Sequence, residues 1–99
     1  MPMPKAYAIV QETITDQDGF DAYRKDVLDT LKPYGGNFVI RGGTTTVLEG
    51  AWAHPRLVII EFPSRDAAEG WYNSPAYQKI VPLRLKSSHG NFVIADGVA

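Results

Sequence analysis

Three observations on this 99-residue sequence predict an α+β domain of βαββαβ order. The pentapeptide GNFVI occurs twice, at Gly36–Ile40 and Gly90–Ile94, each time after a stretch of helical period. Four short runs, AIV, FVI, LVII and FVI, are rich in the β-branched and aromatic residues that favour strands. Between them lie two segments whose apolar residues recur every three or four positions. Two βαβ halves of this kind build the ferredoxin-like split unit, a four-stranded antiparallel sheet with its helices on one face. Residues 1–99 are expected to form one domain, small enough to bury only roughly 60–65% of its unfolded surface.

The elements follow in order. Lys5–Glu12 reads as the first strand. Thr15 and Asp16 are capping residues. After them Phe20, Tyr23, Val27 and Leu31, widened by Leu28, form the apolar stripe of a helix, with Asp21 and Lys25 paired on its outer side. Pro33 and Gly35-Gly36 end that helix. Asn37–Arg41 is the second strand, and Gly42-Gly43 signals a two-residue hairpin turn. Thr44–Glu49 is β-prone and is expected either to return as a hairpin or to reach towards a partner. Gly50–Pro55 is a loop.

Arg56–Phe62 is the most β-rich run and Pro63 closes it. Ser64 caps a helix holding Ala67, Ala68 and Trp71, and Ser74-Pro75 starts another, lined by Tyr77, Ile80 and Val81. Pro82 lacks the amide the next turn needs, so that helix is expected to end or kink there. Asn91–Ala95 is the last strand. Each GNFVI therefore opens the closing strand of one half, and its glycine releases the chain from helix to strand.

The four strands are apolar on both faces, whereas helices cover only one. An open antiparallel sheet normally turns polar residues to water, so a homodimer packed sheet to sheet around a barrel-like centre is expected.

Composition narrows the function. The net charge of −1 supplies no basic footprint for nucleic acid. Without cysteine there is no disulfide, thiolate chemistry or cysteine-ligated metal. The start, MPMPKAYAIVQE, lacks the form of a signal peptide, and no run approaches membrane-spanning length, so a soluble cytoplasmic protein is expected.

Tyr34-Gly35-Gly36, Arg41-Gly42-Gly43, Leu48-Glu49-Gly50 with Trp52, Ile60 to Ser64, Trp71 to Pro75 and Tyr77-Gln78, taken in order, resemble a bacterial family. That family is catalogued as domain of unknown function 1330, and the similarity runs from Ala6 to Asp96. The resemblance implies a dimeric α+β barrel, related in fold to cofactor-free monooxygenases, muconolactone isomerases and some haem enzymes. It implies no reaction, because fold kinship alone carries none. Pro82 departs from the family pattern, in which this helix runs on, and bears on the pocket wall near Arg84.

Candidate chemistry rests on eight residues. Glu61 is the one carboxylate near the end of an apolar strand, on the Leu57/Ile59 side, and burial beneath the helices would raise its pKa as a general acid or base requires. The alternative is a structural carboxylate paired with Arg41. His54, in the loop before the third strand, is the second candidate to move a proton; a loop-capping role is its alternative. Arg41, before two glycines, suits an anionic ligand group, or an ion pair with Glu61 or Glu49. Tyr7, Tyr23, Trp71, Tyr72 and Tyr77 are candidates to line an aromatic cleft, with core packing as the alternative. His54 and His89 lack metal-ligand spacing, and no cofactor motif is present, so no metal and no cofactor are expected. A haem-bearing relative of this fold is the weakest alternative. The leading expectation is a homodimer binding a small organic molecule, with cofactor-independent proton transfer or oxygenation if it is an enzyme. A binding module without chemistry, or a dimeric interaction protein without a pocket, is the alternative.

Overall fold

The structure, a computed structural model, describes residues 4–98. Residues 1–3, which open the start read above for a leader, and residue 99 lie outside that range. The elements are β1 (Ala6–Ile14), α1 (Gln17–Leu31), β2 (Asn37–Arg41), β3 (Arg56–Phe62), α2 (Arg65–Tyr72), α3 (Pro75–Ser87) and β4 (Ser88–Asp96). A short 3-10 turn, Lys32–Tyr34, follows α1. The sheet order is β2-β3-β1-β4, antiparallel throughout, as the βαββαβ reading requires.

The caps act where the sequence places them. Asp16 accepts from the Gly19 amide at 3.2 Å, Ser64 from Ala67 at 3.1 Å and Ser74 from Tyr77 at 3.2 Å. Thr15 does not cap; its amide, at 2.8 Å, joins that of Asp16 on the carbonyl of Ser87, pinning the start of α1 to the end of α3. Asp21 accepts from Gln17 at 2.8 Å and lies 3.9 Å from Arg24, in place of the expected pairing with Lys25.

The helices cover one face of the sheet, and the alternation of each strand says which residues lie beneath them. Ala6, Ala8, Val10 and Glu12 of β1, and Val58, Ile60 and Phe62 of β3, are buried there with Phe20, Tyr23, Val27, Leu31, Trp71 and Tyr77 of the helices. The other face carries Ile9, Val39, Ile59 and Val93, with Val39 and Val93 each 54% exposed. The described residues leave this apolar face uncovered.

Both GNFVI glycines sit where a side chain would collide. A Cβ on Gly36 would stand 2.8 Å from Leu31 and from Phe62, and one on Gly90 would overlap the Gln11 carbonyl. The repeat thus marks two close crossings rather than two flexible joints.

Three expectations are corrected. Gly42-Gly43 does not make a tight hairpin and Thr44–Glu49 is not a strand; residues 42–55 form one irregular, outlying segment. In it Val47, Leu48 and Trp52 stay exposed. Pro82 neither ends nor interrupts α3, which runs through to Ser87. Pro82 and Gln78, whose carbonyl loses its partner, both face solvent, so water replaces the missing bond cheaply. The last strand begins at Ser88, directly after the helix, three residues before the expected start.

Candidate functional site

A narrow cavity lies between α1, α3 and the helix-facing side of the sheet, with about 30 Å³ of room. At roughly 10–15 Å³ per water that is room for about two. Its floor is Val10, Val58 and Ile60; Phe38 and Phe92, one from each GNFVI, stand at its two ends.

Arg41 reaches this cavity because of a β-bulge. Phe38 pairs with Ile60, but Ile40 pairs with Ile59 and Arg41 with Val58, so two residues of β2 oppose one step of β3. The extra residue returns Arg41 to the same face as Phe38. Its guanidinium then lies 4.2 Å from the Phe38 ring centre. Two more arginines repeat the contact, Arg56 over Phe20 at 5.4 Å and Arg84 over Phe92 at 5.3 Å. Guanidinium groups stack on aromatic faces in this way while keeping their edges free for acceptors.

Glu12 is the one carboxylate in the lining and is only 3% exposed. It accepts from Arg56 Nε at 2.9 Å. Burial pushes its pKa up from the ordinary 4.5, against the pull of Arg56 and then Arg84. Protonation therefore favours the folded state. The stability this group contributes is present below pH 4.5 and is lost as pH rises through its raised folded pKa. Wild-type stability is expected to fall with pH across that window more steeply than that of Glu12→Gln, in urea unfolding at stepped pH. A wild type that gains stability there relative to the variant would show that the Arg56 pairing outweighs burial.

The Tyr23 and Tyr77 hydroxyls meet at 2.8 Å beneath α1 and α3. Burial raises both pKa values, that of Tyr23 strongly, and the nearby Arg84 charge opposes the rise at both. Burial, then the neighbouring charges of Arg24 and Arg56, lowers that of Arg41.

Of the residues singled out from sequence, Tyr23 and Arg41 line the cavity, with Tyr77 behind Tyr23. Trp71 is wholly buried core, its ring centre 4.0 Å from that of Tyr77 and its Nε1 donating to Thr30 at 3.0 Å. Tyr72 lies half-buried against Phe92, 5.3 Å between ring centres, outside the cavity. Tyr7 and Glu61 pair across β1 and β3 on the uncovered face, so Glu61 is not beneath the helices. It bonds Lys5 at 3.0 Å rather than Arg41. His54 contacts Thr13 Oγ1 through Nδ1 at 3.0 Å, on that face too.

Glu12 and Arg56 escaped the sequence reading, and Arg84 entered it only as a pocket wall. The signal for Glu12 was present. Ala6, Ala8 and Val10 set an even-numbered buried phase that Glu12 continues. Among the described residues no group of three or more His, Asp or Glu side chains is placed to hold a metal. None of the described helices is long and apolar enough to cross a membrane.

Fold and cavity together define a ferredoxin-like α+β protein with an arginine-rich pocket under its helices. The chain belongs to the family described as domain of unknown function (DUF1330), whose model matches residues 5–98. A comparison with curated protein sequences finds no match. Among solved structures it is similar to the RPA0582 protein of unknown function from Rhodopseudomonas palustris, at 16% identity and TM-score 0.77, covering 97% of this chain and 84% of that one. It is also similar to SnoaB, a cofactor-independent oxygenase from Streptomyces nogalater, at 13% identity and TM-score 0.65, covering 97% and 95%. A dimeric ferredoxin-like protein of unknown function from Jannaschia sp. CCS1 matches at 18% identity and TM-score 0.64, covering 96% and 99%. At such identities the likeness is one of fold.

Proposed function

We propose that the protein is a homodimer that binds a small organic molecule in the cavity between α1, α3 and the sheet. One observation carries the binding: an apolar cavity with a buried, pKa-shifted carboxylate, Glu12, among convergent polar groups. The dimer is supported by the apolar face holding Ile9, Val39, Ile59 and Val93, and by exposed Leu48 and Trp52 on the outlying segment 42–55, which would pack on the partner. The dimeric protein of Jannaschia lends the same support. A cytoplasmic setting belongs to this proposal.

If the protein is an enzyme, Glu12 is the group to take a proton from a bound substrate, in place of Glu61 and His54. Chemistry without a cofactor, as for SnoaB, suits such a site. The cavity's small volume favours one second reading, a dimeric module whose cavity holds only water.

Native mass spectrometry of gently purified, untagged protein is expected to give two chains with a small-molecule adduct. The adduct should be depleted in Val27→Phe, whose ring takes up the cavity. A bare monomer would sink the dimer. Dimers without adduct, which also fail to bind small aromatic carbonyl fragments, would sink the pocket.

A further inference from the structure

Four arginines line the cavity against one carboxylate. Glu12 and Arg56 satisfy each other at 2.9 Å, and Arg24 leans at the surface towards Asp21. Arg41 and Arg84 have no carboxylate partner among the described residues. Arg84 stands out further: its Nε is buried without a hydrogen-bond partner. A guanidinium only donates and stays charged, so nothing but an acceptor relieves it. A buried donor left unmade lowers stability. The fold carries that cost at a residue that lines the cavity, with its guanidinium near the Phe92 ring and the hydroxyls of Tyr23 and Tyr77.

We propose that the cavity takes the carboxylate of a small organic acid, with Arg84 as its anchor, and that Arg24 and Arg41, at the exposed rim, draw the anion in. This rests on the reading of the cavity as a ligand site. Room for about two waters suits the two oxygens of one carboxylate; the apolar body stays towards the mouth. Glu12 does not repel the newcomer outright, because its charge is committed to Arg56. Rim arginines raise the local concentration of an anion, and the effect fades with salt.

The test is a titration of isotope-labelled protein followed through backbone amides and arginine Nε–H signals. Sodium benzoate and its neutral isostere benzamide are the probes, at one fixed ionic strength. Benzoate is expected to shift the Arg84 Nε–H saturably and to bind roughly tenfold or more tighter than benzamide. Arg84→Met should weaken benzoate roughly ten- to hundredfold and weaken benzamide, whose carbonyl is only a neutral acceptor, by much less. Arg84→Lys, which keeps the charge and stem, should recover part of the loss and guards against misfolding of the first variant. Equal binding of both probes in the cavity would overturn the anion preference and leave the ligand site standing. Benzoate shifts that miss Arg84 would overturn the anchor. Silence of every cavity residue towards both probes would overturn the site and the preference together.

Discussion

Trp71→Ala is expected to cost about 3–5 kcal/mol, the range for truncating a fully buried large aromatic. Trp71 has no exposed surface, and its ring centre lies 4.0 Å from Tyr77, 5.4 Å from Phe62 and 6.2 Å from Phe92. It joins α2 to α3, β3 and β4 at once. Its indole N–H also donates to Thr30 Oγ1, which itself donates to the Val27 carbonyl at 2.6 Å. A domain of this length has roughly 5–15 kcal/mol in total, so the variant should lose a large share of its stability. Urea unfolding measures the loss. A cost below about 1 kcal/mol, well short of that range, would mean that the ring is not the keystone its contacts describe.

Gly90→Ala should be nearly as severe, for a different reason. The added Cβ would overlap the Gln11 carbonyl oxygen and stand 2.8 Å from Glu12 Cα. Both obstacles are backbone, and neither yields without parting β1 from β4, paired continuously from Ala6–Asp96 to Ile14–Ser88. Overpacking of this kind costs about 1–3 kcal/mol and at times more; against backbone the upper end is expected. Amide exchange along β1 and β4 should accelerate before the rest of the sheet is affected. Gly43→Ala, where an added Cβ meets nothing within 4 Å, is the control expected to be silent. Equal stabilities for the two variants would refute the close crossing.

The architecture was legible because helix and strand periods differ, and because the two GNFVI copies sit at equivalent points of the two halves. Three capping residues were legible for the same local reason. Which face of a strand the helices cover was not. Alternation placed Glu61 with Leu57 and Ile59, as the structure has it, yet that set turns away from the helices. A period of two sorts residues into faces without saying which face is covered. The cavity was half legible. Tyr23 follows from the helical stripe, and Glu12 from the phase of Ala6, Ala8 and Val10. Arg41 reaches the same face as Phe38 only through a bulge, an irregularity of pairing invisible in the residues themselves. Thr44–Glu49 has strand propensity, but propensity alone does not form a strand, and this segment pairs with neither outer strand of the sheet.

The ladder between β1 and β4 also bears on how the molecule assembles in time. Ala6 faces Asp96 across it, so one of the two partners of the inner strand β1 comes from the far end of the chain. Local helices and the β1–β3 pairing are available early. The β4 edge of β1 must wait until nearly all of the sequence has emerged, and closing so long a loop carries its entropy before any contact repays it. Until then the inner strand is itself an edge, with its backbone groups on the β4 side unpaired. The interval before β4 arrives is thus when this chain is most prone to pair with the wrong strand.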